Sequence, residues 1–123
     1  MKKLIILTMA FLLIDSVSQA KYPVGISLSI LKTPSVEGLA QIKASGVDHV
    51  EVVFNYFWRN VPENECYTRA YRVKALLEEA GLKVWSCHLP FSRQLDISVA
   101  DPALREQNVA LMERMIRLAS IFG

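Results

Sequence analysis

A strand-like stretch followed by a helix-like stretch occurs three times in this 123-residue chain, and two of the strand-like stretches come directly after a glycine. Gly46 precedes Val47–Phe54, and Gly81 precedes Leu82–Leu89. A helix that ends on glycine and turns straight into a strand is the joint of a βαβ unit, because glycine takes the left-handed backbone that closes a helix. Repeated units of this kind imply parallel strands joined by right-handed crossovers.

The first strand is expected over Val24–Ile30, where period-two alternation puts Ile26, Leu28 and Ile30 on one face and Gly25, Ser27 and Ser29 on the other. Thr33-Pro34-Ser35 then opens a helix with Val36, Leu39, Ala40 and Ile42 at helical spacing. Gly38 within it marks a mild cost or a close approach to a neighbour. In the second strand Val50, Val52 and Phe54 share one face, and His49, Glu51 and Val53 the other. The aromatic-rich connection Asn55–Asn64 reads as a lid or a pocket lining. The next helix is expected from about Glu65 to Ala80, with Val73, Leu76, Leu77 and Ala80 as its buried stripe.

In the third strand Val84, Ser86 and His88 alternate with Trp85, Cys87 and Leu89, and Pro90 ends the ladder because it has no N–H to donate. Asp101-Pro102 starts a last helix whose expected stripe is Leu104, Val109, Met112, Met115 or Ile116, Ala119 and Phe122. Ser27, Glu51 and His88 thus fall on one consistent sheet face. That favours a sheet curling toward a barrel over a complete small doubly wound domain, and a closed (β/α)8 barrel needs about 250 residues. The expected fold is α/β, a partial (β/α)8 TIM barrel of three βα units, with residues 21–123 its N-terminal part.

Residues 1–20 read as a secretory signal peptide: Lys2 and Lys3, an apolar run Leu4–Ile14, then Ser18-Gln19-Ala20 at the cleavage site. The run is too short for a span of about 20 residues, so no stable membrane insertion is expected after cleavage. An uncleaved anchor or a buried first helix is the alternative. The implied location is periplasmic or secreted. Cleavage removes Lys2, Lys3 and Asp15 from a chain with 14 basic and 12 acidic residues. The near-balance that remains gives no reason to expect nucleic acid as a partner. Two cysteines in an exported chain allow one disulfide, but nothing in the spacing of Cys66 and Cys87 brings them together, and two free thiols are expected.

The segments Val24-Gly25-Ile26-Ser27, Gly46-Val47-Asp48-His49-Val50-Glu51, Ala80-Gly81-Leu82-Lys83-Val84 and Ser86-Cys87-His88-Leu89-Pro90-Phe91 together resemble the sugar phosphate isomerase/epimerase group of xylose-isomerase-like barrels, which is related to the apurinic endonuclease type. The resemblance spans essentially all of residues 21–123. It implies a small sugar substrate and a divalent metal (Mn, Mg or Zn), held mostly by carboxylates and a His from later strands. That metal would assist proton transfer next to a sugar carbonyl.

The expected substrate-binding residues are His88, Glu51 and Trp58. In the endonuclease relatives a His in the region of His88 is a zinc ligand, which leaves a metal role for His88 open. His88 is otherwise a structural His bonded to a backbone carbonyl; Glu51 reaches sugar hydroxyls or orients His88, or else is an inward charge paired with an Arg or Lys from another strand. Trp58 and Phe57 form a wall over a sugar ring or simply pack the loop. Arg93, Asp96 and His49 read as solvated or structural, and the Met112 and Met115 stripe as core. The other classes in view are a non-catalytic carbohydrate-binding or inactive truncated barrel, and a metal-dependent phosphodiesterase. A three-stranded open sheet also exposes two strand edges, so self-association is expected.

Overall fold

The computed structural model describes residues 22–123. The proposed signal peptide, residues 1–20, lies outside them. The described chain is an α/β unit built on one three-stranded parallel sheet in the order β1-β2-β3, with β1 at Gly25–Ser27, β2 at His49–Val53 and β3 at Lys83–His88. Helix α1 (Val36–Ala44) links β1 to β2. The short α2 (Asn55–Trp58) and the long α3 (Glu63–Glu79) link β2 to β3, and α4 (Pro102–Ala119) follows β3. Among the described residues no helix is long and apolar enough to cross a membrane.

The joints follow the local chemistry. Gly46 and Gly81 sit at φ 86° and 67°, the left-handed region that each turn requires. Ser35 caps α1, its hydroxyl accepting from the Gly38 N–H at 3.1 Å. Gly38 is a close approach: a Cβ there would stand 3.1 Å from a Leu31 methyl. Asp101 caps α4 by accepting from the Ala103 and Leu104 N–H groups at 2.9 and 3.2 Å, with Pro102 at the first helical position. Lys43 ties two joints together, donating to Asp48 at 2.7 Å and to the Gly81 carbonyl at 3.0 Å.

One face of the sheet carries the core. Val50, Val52 and Phe54 are fully buried against Leu39 and Ile42 of α1, Ala70, Val73 and Leu77 of α3, and Met115 and Leu118 of α4. Phe54, Phe57 and Phe122 meet edge to face or tilted, with centroids 5.3 to 6.3 Å apart, and this cluster locks the end of β2 to α2 and to the turn after α4. The other face holds His49, Glu51 and Val53, which are only half-buried.

Four expectations are corrected. The first strand stops at Ser27, because Leu28–Ile30 winds into a 3-10 turn in which the Ser29 N–H bonds to the Ser27 hydroxyl; Leu28 is buried but Ile30 is exposed. Val36 faces water rather than the core. The alternation of β3 is broken by a bulge: Val50 pairs with Val84 but Glu51 pairs with Ser86, so Trp85 is the extra residue. Val84, Cys87 and Leu89 therefore pack toward the core, and Trp85 swings out, 70% exposed and edge-on to His49. The buried stripe of α4 is Asn108, Met115 and Leu118, rotated from the expected one. Asn108 sets this rotation, because its buried amide donates to the Asp96 carbonyl at 2.9 Å and pins α4 to the preceding loop. Leu104, Val109 and Ile116 are left exposed.

This packing makes a direct stability prediction. Phe54→Ala should cost about 3–5 kcal/mol. Ile116→Ala, at 58% exposure, should change stability by no more than about 0.5 kcal/mol. Urea unfolding of the two variants measures both. A large loss at Ile116 would mean that α4 buries a different face.

Candidate functional site

The C-terminal ends of the three strands meet at one mouth. The ladder sets their heights: Ser27 of β1 lies beside Glu51 of β2, Glu51 beside Ser86 of β3, and Val53 beside His88. One further bond, from the Phe54 N–H to the His88 carbonyl at 3.0 Å, holds the last residue of β3 to the end of β2. The bulge at Trp85 then turns both Ser86 and His88 to the same side as Glu51.

The expected pair comes together. His88 Nδ1 is 3.5 Å from Glu51 Oε1, and the Ser86 hydroxyl donates to Glu51 Oε2 at 3.4 Å. The Ser86 bond is at the long end for a hydrogen bond and the His88 approach is a proximity rather than a bond, which suits groups with capacity left for a ligand. The side chains are partly open, 33% exposed for Glu51 and 44% for His88. They line a cavity of about 500 Å³ with Ser27, Ser29, Asn55 and Arg59. A carboxylate, an imidazole, an amide, a guanidinium and two hydroxyls offer donors and acceptors of every common kind. That mixture suits a ligand that both donates and accepts at many points.

Trp58 is not brought to this mouth. Its ring packs against the core, its Nε1–H donates to Asn55 Oδ1 at 3.3 Å, and the Arg59 guanidinium lies 5.8 Å from its centroid. Phe57 is buried in the core. The aromatic ring that does reach the cavity is Phe91, 5.4 Å from the His88 ring. Sequence reasoning missed Phe91 and Ser29 as lining residues, and covered Asn55 and Arg59 only within the Asn55–Asn64 connection read as a lid or a pocket lining. The available signal was position: each lies just past a strand end, where the loops of a parallel sheet carry ligand groups. Asp96 is held in its loop by the Ser98 hydroxyl and N–H at 2.7 and 2.8 Å, and these two bonds, the hydroxyl first, lower its carboxyl below the usual range. His49 sits at the opposite end of β2 against Trp85, with Nδ1 buried and unpartnered.

Among the described residues no three His, Cys, Asp or Glu side chains are grouped to hold a metal ion. Glu51 and His88 alone supply two donors, fewer than the three or more protein ligands of a typical zinc site. The two cysteines are free thiols in separate elements. Cys66 is buried in the first turn of α3, and Cys87 lies on the core side of β3. The chain matches no family model and no curated protein.

Cys87 gives a chemical handle on Glu51. Burial raises its thiol pKa above the ordinary value, and the Glu51 charge raises it further. A raised thiol pKa means less thiolate, hence slower alkylation at mildly alkaline pH. Glu51→Gln removes the second cause, so Cys87 should alkylate faster in that variant at pH 8, with the midpoint of its pH–rate curve moved down. An unchanged curve, read by mass spectrometry of the Cys87 peptide, would mean that Glu51 does not act on Cys87.

Proposed function

We propose that the mouth formed by Glu51, Ser86 and His88 binds a small sugar or sugar-like polyol, on part of a xylose-isomerase-like (β/α)8 barrel of the sugar isomerase/epimerase type. The observation that carries this reading is the Glu51–His88–Ser86 cluster at the C-terminal ends of parallel strands, on the one sheet face that the helices leave open. Active sites of such barrels lie at that end of the strands. A polyol has closely spaced hydroxyls that both donate and accept. Glu51 accepts from them, while Asn55, Arg59 and the serines supply donors.

The activity assigned by this reading is proton transfer next to a sugar carbonyl, assisted by a divalent metal. Such an ion stabilises the charge that develops on the carbonyl oxygen. Of its ligands this chain would supply His88, through its second ring nitrogen, and further strands the rest. Within this chain Glu51 holds a sugar hydroxyl, and His88 orients Glu51. The same shortage of metal donors favours a second reading, a carbohydrate-binding relative that does no chemistry. Export to the periplasm or outside the cell belongs to the proposal and rests on Lys2, Lys3, the apolar run and Ser18-Gln19-Ala20.

Amide-resolved NMR titration of the folded chain with aldoses, ketoses and their alditols is the test. Shifts should cluster at Ser27, Glu51, Ser86 and His88, and Glu51→Gln should weaken binding about tenfold or more, the cost of a hydrogen bond to a charged group. Shifts confined to another surface would refute the assignment. Aldose–ketose interconversion with added Mn²⁺ would separate the enzyme from the binder.

A further inference from the structure

Phe91 follows Pro90 at the rim and is 80% exposed. A ring held at the edge of a polar cavity is placed to meet the apolar face of a ligand bound there. Its ring stands 5.4 Å from the His88 ring, tilted by 40°, and the two make a shallow corner above Glu51. Pro90 fixes one backbone angle next to Phe91 and so limits the motion of this rim. On its other side Phe91 flanks a second groove, lined by Leu95, Ile97 and Met112. The cavity of about 500 Å³ accommodates a monosaccharide with water around it.

We propose that Phe91, cornered by His88, is a platform for the C–H face of a ring-form sugar, and that the site selects pyranoses over open-chain polyols. This rests on the polyol-binding reading above and adds a ligand class to it. A pyranose gathers several C–H bonds on one face and places its hydroxyls around the rim. The electron-rich face of a phenyl ring attracts such polarised hydrogens. With the ring laid on Phe91, the hydroxyl rim turns to Glu51 on one side and to Asn55 and Arg59 on the other. An open-chain polyol has no continuous apolar face and must freeze several rotors to bind. Phe91 is thus a specificity-determining residue, and Glu51 supplies binding that both ligand classes share.

The test titrates the full chain with methyl pyranosides of gluco, galacto and manno configuration, each against its matching hexitol. Wild type, Phe91→Ala, Phe91→Tyr and Glu51→Gln are compared, and circular dichroism verifies each fold. For at least one configuration the pyranoside should bind about tenfold more tightly than its hexitol in wild type. Phe91→Ala should remove most of that ratio, and Phe91→Tyr should keep it. Glu51→Gln should weaken both ligands and leave the ratio unchanged. A wild-type ratio near one, or a ratio that survives Phe91→Ala, overturns the platform while polyol binding stands. If folded wild-type chain binds no member of any pair, the polyol reading falls and the platform falls with it.

Discussion

The structure depends on burying one face of one strand. β2 is paired on both edges, and its Val50, Val52 and neighbouring Phe54 side chains are covered by α1, α3 and α4. Parallel sheets are normally covered on both faces, which is why their strands tend to read as continuous apolar runs. Here β2 alternates instead. Its second face keeps a histidine and a glutamate, which is tolerable because that face is open enough to stay partly hydrated. The apolar half of the strand makes the fold, and the polar half is thereby set in fixed register with its neighbours.

Register explains how one short strand serves both purposes. A regular β3 that buried Val84 would also have turned Ser86 and His88 into the core, since period-two alternation puts all three on one side. Burying two polar side chains among Leu77, Met115 and Leu118 without partners would be costly. The bulge at Trp85 resolves the conflict by inserting one residue. Val84 stays in the core below the bulge, Cys87 takes the core side above it, and Ser86 and His88 emerge beside Glu51. The extra residue is Trp85, which lies over His49 on the open face. The geometry of the candidate site therefore follows from an irregularity of the strand.

Much of this architecture was legible in the sequence, and the parts that were not share a cause. Glycine joints, the Ser35 and Asp101 caps and the core face of β2 are local matters, decided by residues close in sequence. That Glu51 and His88 stand at the ends of successive parallel strands was legible too, but the bulge that turns His88 to the side of Glu51 was not. The misread features were decided at longer range or by competing bonds. The face that α4 buries depends on Asn108 finding a carbonyl twelve residues earlier in the chain. The end of β1 depends on a serine hydroxyl capturing a nearby N–H instead of leaving it to a ladder. The choice left open for Phe57 and Trp58, a wall over a ligand or packing of the loop, falls to packing through Phe122 at the far end of the chain. Periodicity carries none of these.

The Glu51 carboxylate shows how fold and site constrain each other. A charge on a sheet face costs stability unless it is solvated or bonded. Glu51 is both in part, through the Ser86 hydroxyl, the His88 ring and the open cavity. Shorter bonds would satisfy it more fully and leave less of it for a ligand. Its intermediate state suits hydroxyl recognition, where the ligand replaces water at a carboxylate already oriented by two neighbours. The orientation comes without extra ordering cost on binding, because the Val53–His88 pairing and the Phe54–His88 backbone bond have already fixed the strand that carries the imidazole. The core face of β2 thus acts on the site through the backbone: Phe54 is held by Phe57 and Phe122 beneath the sheet, and its N–H holds the residue that orients the carboxylate above it.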